Sequence, residues 1–420
     1  APRHRRSWRG TKNLLGNNYR GASSTGPAVN TPRSVTLLLL LATACTPESS
    51  APSSSGDPQM FPWEGTIEKF GSVITVLNPN SGIWDDAPVP PLRFEPDGLF
   101  GGPETQIEGI AAAIVDANSN VYIYDNHRHE LVSMDPEGTI LWRAGQEGKG
   151  PGEFSAVRGA AYDGDKTIYL VNQEGTRLDA WETNGTLIGN IELAELGIGK
   201  TFMGGFLPPN RVALLADDVF SSATNAYIIV ELGDAPRVTH NFQIGTDPLM
   251  PIPPGLVLQL SHYFDDDRIF VGTWERYLLR EYDDAGKLQR RVTRPVKYLR
   301  RPGFAARGTQ FAAISFGGLG APIVLPTGHW IVVASWPTNV DDSNAYVELP
   351  PQQRPAIQWS SSIDLFDPEG RFLYSLETPG SPMPAIGGPW ATDTEGRLYT
   401  VIAQPFPQVR RYRVVIDPPQ

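Results

Sequence analysis

The densest group of chemically capable side chains in this sequence is His127-Arg128-His129, flanked by Asp125 and Glu130. Alternate residues of a strand face the same side, so two histidines spaced i and i+2 could share a metal ion. A histidine pair fills only part of a coordination shell, and no third ligand stands nearby, so a polar turn is the expected role. Asp116-x-Asn118-x-Asn120 opens like a calcium loop, but Val121 stands where Gly is needed and His127 where Glu is needed. Asp and Asn also suit turn dihedrals, and a hairpin turn is expected there. Gly148, Gly150 and Gly152 look like a phosphate loop, which requires a following helix whose first amides meet the phosphate. Here Pro151, Phe154 and a strand-like run follow, which makes the segment a connecting loop. No Ser-His-Asp order, nucleophile elbow or metalloprotease helix is present. The sequence assigns no catalytic residue, no metal site and no cofactor.

The elements that must position these residues recur. Val121-Tyr-Ile-Tyr, Leu131-Val-Ser-Met and Asp135-Pro-Glu-Gly138 return 47 positions on as Ile168-Tyr-Leu, Leu178-Asp-Ala-Trp and Glu182-Thr-Asn-Gly185. Tyr122 to Gly138, Tyr169 to Gly185 and Phe270 to Gly286 all span 16 residues, and Asp116–Tyr122, Asp163–Tyr169 and Asp393–Tyr399 all span six. Apolar runs bounded by Gly, Pro, Asn and Asp are strands joined by tight turns. Repetition at this period marks a propeller or solenoid. Degenerate copies at Arg211–Gly233 and Trp330–Gly370, the latter with about two dozen inserted residues, bring the count to six. The expectation is an all-β, six-bladed β-propeller over residues 65–420, with an N-terminal strand closing the last blade. Gly71-Ser-Val-Ile-Thr-Val-Leu77 is the strand expected to do this, beside Val409–Ile416. Helix should be scarce, with some near Leu193–Gly197.

The charge is uneven. The chain carries −11 overall, whereas residues 1–44 hold six Arg and one Lys and no acid, so the body is strongly acidic. An acidic body argues against nucleic-acid binding, which needs a basic face to displace counterions from phosphates.

The basic front belongs to an address. Val35-Thr-Leu-Leu-Leu-Leu-Leu-Ala-Thr-Ala44 is too short to span a bilayer comfortably and has the shape of a signal-peptide core. Leu41-Ala-Thr-Ala-Cys45 resembles the bacterial lipobox, which implies a lipidated Cys45 as mature N-terminus. Residues 46–64 then form a polar tether, after the leader at 1–45. No Met occurs before Met60, and Val29 as a start would give a compact charged region, so residues 1–28 are expected to be upstream translation. A lipidated Cys45 leaves no disulfide, and stability must come from packed sheets. The expected location is the bacterial cell envelope, at the outer membrane or its periplasmic face, as a membrane-attached monomer.

Gly145-Gln-Glu-Gly-Lys-Gly-Pro-Gly-Glu-Phe154, followed by Arg158-Gly-Ala-Ala-Tyr-Asp163, resembles the NHL-type repeat, and Ser72-Val-Ile-Thr-Val-Leu-Asn-Pro79 with Trp84 resembles the opening of exported bacterial six-bladed propeller lipoproteins of the TolB-like propeller group. The resemblance covers about residues 65–416 and implies four-stranded sheets around a central channel, usually with an undefined ligand. Glu108-Gly109 resembles the opening of the gluconolactonase group. That likeness makes Glu108, with Arg158 and His262 of two other inner strands, the candidates for a binding site at one channel mouth. Trp181 and Trp330 fall on strand positions of the repeat and should be core. Trp336 and Trp359, beside the fifth-blade insertion, are the candidate surface aromatics of an interface loop. The leading expectation is a non-catalytic binding propeller with an unknown protein or small-molecule ligand. The alternatives are a metal-dependent lactonase- or lyase-like enzyme and a structural subunit of an envelope complex.

Overall fold

Each repeat begins with β-branched and aromatic runs too short to be helices, punctuated by turns that reverse the chain. The computed structural model describes residues 62–216, 225–244, 260–265, 267–273, 277–296, 303–307, 310–314, 318–379, 391–402 and 405–419. Contacts divide the chain after Asp57, and the fold concerns the unit Pro58–Gln420.

Six antiparallel blades follow one another along the chain. Blade 1 holds the strands Ala112–Val115, Val121–Asp125, Glu130–Met134 and Ile140–Ala144 from inside to outside. Blade 2 runs from Ala160–Tyr162 to Leu187–Glu192, blade 3 from Thr201–Leu207 to Arg237–Ile244, and blade 4 from Leu260–Asp265 to Leu288–Thr293. Blade 5 has a split inner strand, Gly318–Leu319 and Ile323–Val324, and ends in Phe372–Pro379. Blade 6 combines Ala391–Thr392, Leu398–Ile402 and Gln408–Ile416 with Leu92–Gly101 from the front of the chain. Among the described residues helical structure is confined to short segments, including the 3₁₀ turn Leu193–Leu196 anticipated from sequence.

The core is divided among the blade interfaces. Six apolar clusters each join two neighbouring blades, for example Tyr122 and Tyr124 of blade 1 with Phe154, Ile168 and Trp181 of blade 2. Closing the ring, Phe100, Tyr399 and Val409 of blade 6 meet Val121, Ile123 and Met134 of blade 1. Burial of apolar area on both faces of every blade is what makes the repeats stick, since no single blade encloses a core. Trp181 and Trp330 are buried in these interfaces, as their repeat positions required.

The 16-residue ruler has a steric cause. Gly138, Gly185, Gly286 and Gly370 close the turns between third and fourth strands at φ 86°, 89°, 79° and 85°. Each turn also packs on the outer strand of the preceding blade. A Cβ on Gly185 would lie 2.9 Å from Trp142, and one on Gly286 would lie 2.2 Å from Phe242. Only glycine satisfies both the backbone angle and the close approach.

Ring closure differs from expectation in one respect. Leu92–Gly101, not Gly71–Leu77, pairs with Gln408–Ile416. Val73–Leu77 instead runs parallel to the outer strand of blade 4, with Thr66–Phe70 folded back on it. The segment between these strands crosses blade 5. Asn78 donates to Gly370 O at 3.0 Å and accepts from Phe372 N at 2.7 Å, and Trp84 N donates to Leu373 O at 2.7 Å. A β-branched run fits any open sheet edge, so composition made it a strand without saying which edge it takes. The result is a strap across the outer edges of blades 4, 5 and 6.

The fifth-blade insertion lies where the sequence put it, between Trp330–Pro337 and Trp359–Phe366. It contains helix α1 (Ser343–Glu348), capped by the Asp342 carboxylate, which accepts from Asn344 N and Ala345 N. Val340 and Val347 form a small core of its own with Tyr346 and Ile357.

Candidate functional site: one mouth of the ring

Strand register sorts the loops into two groups. The first residues of each inner strand pair with the last residues of the second strand: Ala112 with Tyr124, Ala160 with Leu170, Thr201 with Ala216, Gly318 with Ser335. One mouth, here the front, therefore collects the inner-strand starts, the inter-blade loops and the turns between second and third strands. The rear mouth receives the turns between first and second strands. The glycine-rich loop and the fifth-blade insertion both belong to the front.

Rear turns consume their own chemistry. The Asp116 carboxylate accepts from Asn118 N, Asn120 N, Asn120 Nδ2 and Tyr122 Oη, all at 2.8 Å. The calcium-like spacing is thus a self-satisfied turn. Asp393 repeats the pattern with Glu395 N, Arg397 N and Tyr399 Oη, and Ser119 of blade 1 reaches it at 3.4 Å.

At the front, Glu108 is fixed by its backbone. Glu108 N and Gly109 N donate to the buried Asp125 carboxylate at 2.8 and 3.1 Å, and His127 N and Arg128 N share the same acceptor. The Glu108 side chain is exposed and pairs with Arg128 at 3.2 Å, which also holds Glu130 at 2.7 Å. These pairs hold the exposed Arg128 guanidinium above its usual range, Glu130 first and then Glu108. In blade 2 the equivalent amide, Ser155 N, donates to Asn172 Oδ1 at 3.3 Å. The backbone role therefore persists where the carboxylate does not. His127 and His129 lie in this turn; His129 adopts φ 55° and its Nδ1 meets Tyr124 Oη at 3.4 Å. Among the described residues no three His, Cys, Asp or Glu side chains are grouped to hold a metal ion.

Arg158 sits at the start of the blade 2 inner strand, bound through Arg158 N to Val171 O at 2.7 Å and through Met203 N to Arg158 O at 2.9 Å. Its guanidinium lies 4.7 Å over the ring of Phe202, the second residue of the blade 3 inner strand. Phe202 is 39% exposed, a large aromatic side chain left open at the front mouth. Beside it, Lys200 Nζ pairs with Glu174 Oε2 at 2.8 Å. Gln173 and Glu174 adopt φ 50° and 56°, in the left-handed region that non-glycine residues rarely occupy. Three cations bear on Glu174 and hold its carboxyl below the usual range: Lys200, which hydrogen-bonds it, then Arg158 and Lys149.

The glycine-rich loop is held from beneath by a buried ion pair. Arg177 and Asp179, with side chains 2% and 0% exposed, form two contacts of 2.6 and 3.0 Å. The same guanidinium donates to the carbonyls of Lys149 at 2.8 Å, Gly150 at 3.2 Å and Glu153 at 2.9 Å. Phe154 is fully buried against Trp181 and Tyr124. The loop is structural, and its amides turn inward on the fold rather than toward a phosphate.

The remaining candidates fall apart from this group. His262 lies on the blade 4 inner strand, paired with Val271, and its side chain lies outside the described residues. Trp336 is only 8% exposed and belongs to the blade 4–5 core, so it is not a surface anchor. Its strand continues past the repeat into the insertion, which carries the ring under the neighbouring blade. Trp359 is half-buried at the base of the insertion. Cys45 and the leader lie outside the described residues. Sequence reasoning missed Phe202 and Lys200 because blade 3 is a degenerate copy, and Glu174 because it falls in the blade 2 turn that matches His127 of blade 1. It missed Arg177 and Asp179 too, although a charged residue at 179, where blade 1 has Val132, was a readable sign of a buried pair.

No protein-family model and no curated protein matches the sequence. Solved structures similar to the chain include a DUF4221 family member from Bacteroides vulgatus, 11% identical over 85% of this chain and 99% of that one, with a TM-score of 0.49. An exported protein from Bacteroides fragilis is 8% identical over 81% and 99%, with a TM-score of 0.46. Regucalcin, a calcium-binding protein from Agrobacterium tumefaciens, is 12% identical over 77% and 96%, with a TM-score of 0.41.

Proposed function

We propose that this chain is an exported, lipid-anchored β-propeller of the bacterial cell envelope that binds a ligand or partner at its front mouth without catalysing a reaction. Export and anchoring are supported by the basic, apolar and small-residue sequence that ends at Cys45. The observation that carries the binding role is the open Phe202 ring under the Arg158 guanidinium. Exposed aromatic and arginine side chains on a rigid scaffold are the usual anchors of recognition. The metal-dependent reading has less support, because Glu108 is engaged with Arg128 and its backbone position recurs as Ser155.

The test is crosslinking in intact envelopes followed by affinity isolation of the tagged full-length protein. A discrete adduct that disappears in an Arg158→Ala, Phe202→Ala double variant is expected. Equal recovery from both proteins would remove the front-mouth reading. Stoichiometric divalent metal in the purified protein, lost on Glu108→Gln, would favour the enzyme instead.

A further inference from the structure

We infer, building on the anchored reading proposed above, that the hairpin of Thr66–Phe70 and Val73–Leu77 is a second membrane contact that rests on the lipid surface. It turns the rim of blade 4 toward the bilayer and leaves the front mouth open at the side.

The hairpin is surplus to its blade. Four strands complete blades 1, 2, 3 and 6, whereas two more extend the sheet of blade 4 to six. Val76 is buried in the core between blades 4 and 5 and fastens the inner strand of the pair. Every residue of Thr66–Phe70 is exposed, and this strand ends the sheet. Ile67 is 52% exposed, Phe70 58% and Ile74 36%, so large apolar side chains concentrate on one short element. Register puts Ile67 opposite Val76 and Lys69 opposite Ile74 on one face, and Phe70 opposite Val73 on the other. Residues on opposite faces share only the outward direction of the sheet edge. A broad surface lying against that edge reaches Ile67, Phe70 and Ile74 together.

The chain enters the fold beside this edge. Trp63 Nε1 donates to Asn78 Oδ1 at 3.2 Å, and its ring packs on the core between blades 4 and 5. A Cβ on Gly65 would lie 2.6 Å from Leu77 O, so the entry is fixed against the hairpin. Cys45 stands 18 residues before Trp63, a contour of about 60 Å at most. The hairpin is thus the first described element after the anchor, and within its reach. An acyl chain on a tether limits distance but sets no orientation; a second apolar contact sets it.

A lipid surface suits the edge better than a second copy does. Antiparallel pairing of Thr66–Phe70 over its full length with the same strand of a copy sets Glu68 against Glu68 and Ile67 against Lys69. At a membrane the three apolar side chains enter the acyl boundary, while Glu68 and Lys69 stay among the headgroups. The open backbone groups of the edge bond there to water and headgroups.

The chain has a single cysteine, which the lipid occupies, so one added cysteine takes one fluorophore. Acylated full-length protein is reconstituted into vesicles of phosphatidylethanolamine and phosphatidylglycerol that contain a spin-labelled lipid. Labels at Ile67→Cys and Phe70→Cys should be quenched several-fold. Labels at Asn118→Cys on the rear and at Ile188→Cys, an equally exposed aliphatic position on the rim of blade 2, should be unaffected. An Ile67→Glu, Phe70→Glu double variant should float with the vesicles as before, while a label at Ile74→Cys loses its quenching. Both substituted side chains are exposed, so the fold does not depend on them. Flotation without quenching at 67 and 70, or equal quenching at 188, overturns the contact and leaves the anchor standing. Failure of the protein to float removes the anchored reading, and the contact with it. A dimer in detergent that the double variant separates assigns the edge to a second copy and also overturns the lipid contact.

Discussion

Tyr399 donates its phenol to the Asp393 carboxylate at 2.8 Å, and Tyr122 makes the same bond to Asp116 at the same distance. In blades 1 and 6 the six-residue spacing visible in the sequence is therefore a hydrogen bond between a rear turn and the second strand. In blade 2 Asp163 instead accepts from the amides of its own turn, Asp165, Lys166 and Thr167. In blade 6 the bond also serves ring closure, because Asp393 accepts from Ser119 of blade 1.

Removing this phenol should be felt in alkali. Burial first, and then Asp393, pushes the Tyr399 pKa up from 10.0 to about 12. Below pH 10 both folded and unfolded chains keep the proton, and the contribution to stability is whole. Between pH 10 and about 12 the unfolded chain releases its proton first, so stability falls, and the contribution is lost as pH rises through 12. Tyr399→Phe should cost about 1 kcal/mol at neutral pH and make urea stability fall less steeply above pH 10. An unchanged alkaline slope would contradict the assignment.

Much of the ring was legible because a blade needs the same residues each time. Turn glycines, Asp-to-Tyr spacing and core tryptophans all recur for reasons of backbone angle and packing. The site was less legible for the complementary reason. Phe202, Lys200 and Glu174 depart from the repeat, and their meeting depends on how blade 3 is placed beside blade 2. Trp336 shows the opposite error: lying beside an insertion does not make a residue exposed when its strand runs on under the next blade.

Gly185→Ala tests the packing origin of the 16-residue ruler. The substitution forces a left-handed alanine against Trp142, at a cost of about 2 kcal/mol or more. Gly189→Ala, with no atom within 4 Å of the added Cβ, should change stability by less than about 0.5 kcal/mol. Equal effects in chemical denaturation would show that backbone angle and close approach do not govern the turn.

Asp179→Ala should be severe, at about 3–5 kcal/mol, because it leaves the buried Arg177 guanidinium unpaired. The loosening should reach the glycine-rich loop, seen as faster hydrogen exchange at Gly148 and Phe154, whose amides bond within it. An Arg177→Met, Asp179→Leu double variant should recover part of the stability while leaving the loop exchange fast. Slow loop exchange in both variants would mean that the ion pair does not hold the loop.

The strap separates two roles that the sequence alone merged. Deleting residues 62–78 removes the added edge of blade 4 and should lower the melting temperature while leaving one cooperative transition. Deleting residues 92–101 removes the outer strand of blade 6 and should abolish cooperative unfolding. The reverse ranking in calorimetry would contradict closure by Leu92–Gly101.

The most direct measurement compares the two mouths in the same cells. A photocrosslinking residue is placed at Phe202 on the front mouth or at the exposed Asn118 on the rear, and each full-length protein is irradiated in intact envelopes. A discrete adduct from position 202, with none from position 118, is the predicted result. An adduct from position 118 alone, or equal adducts from both, would contradict recognition at the front mouth.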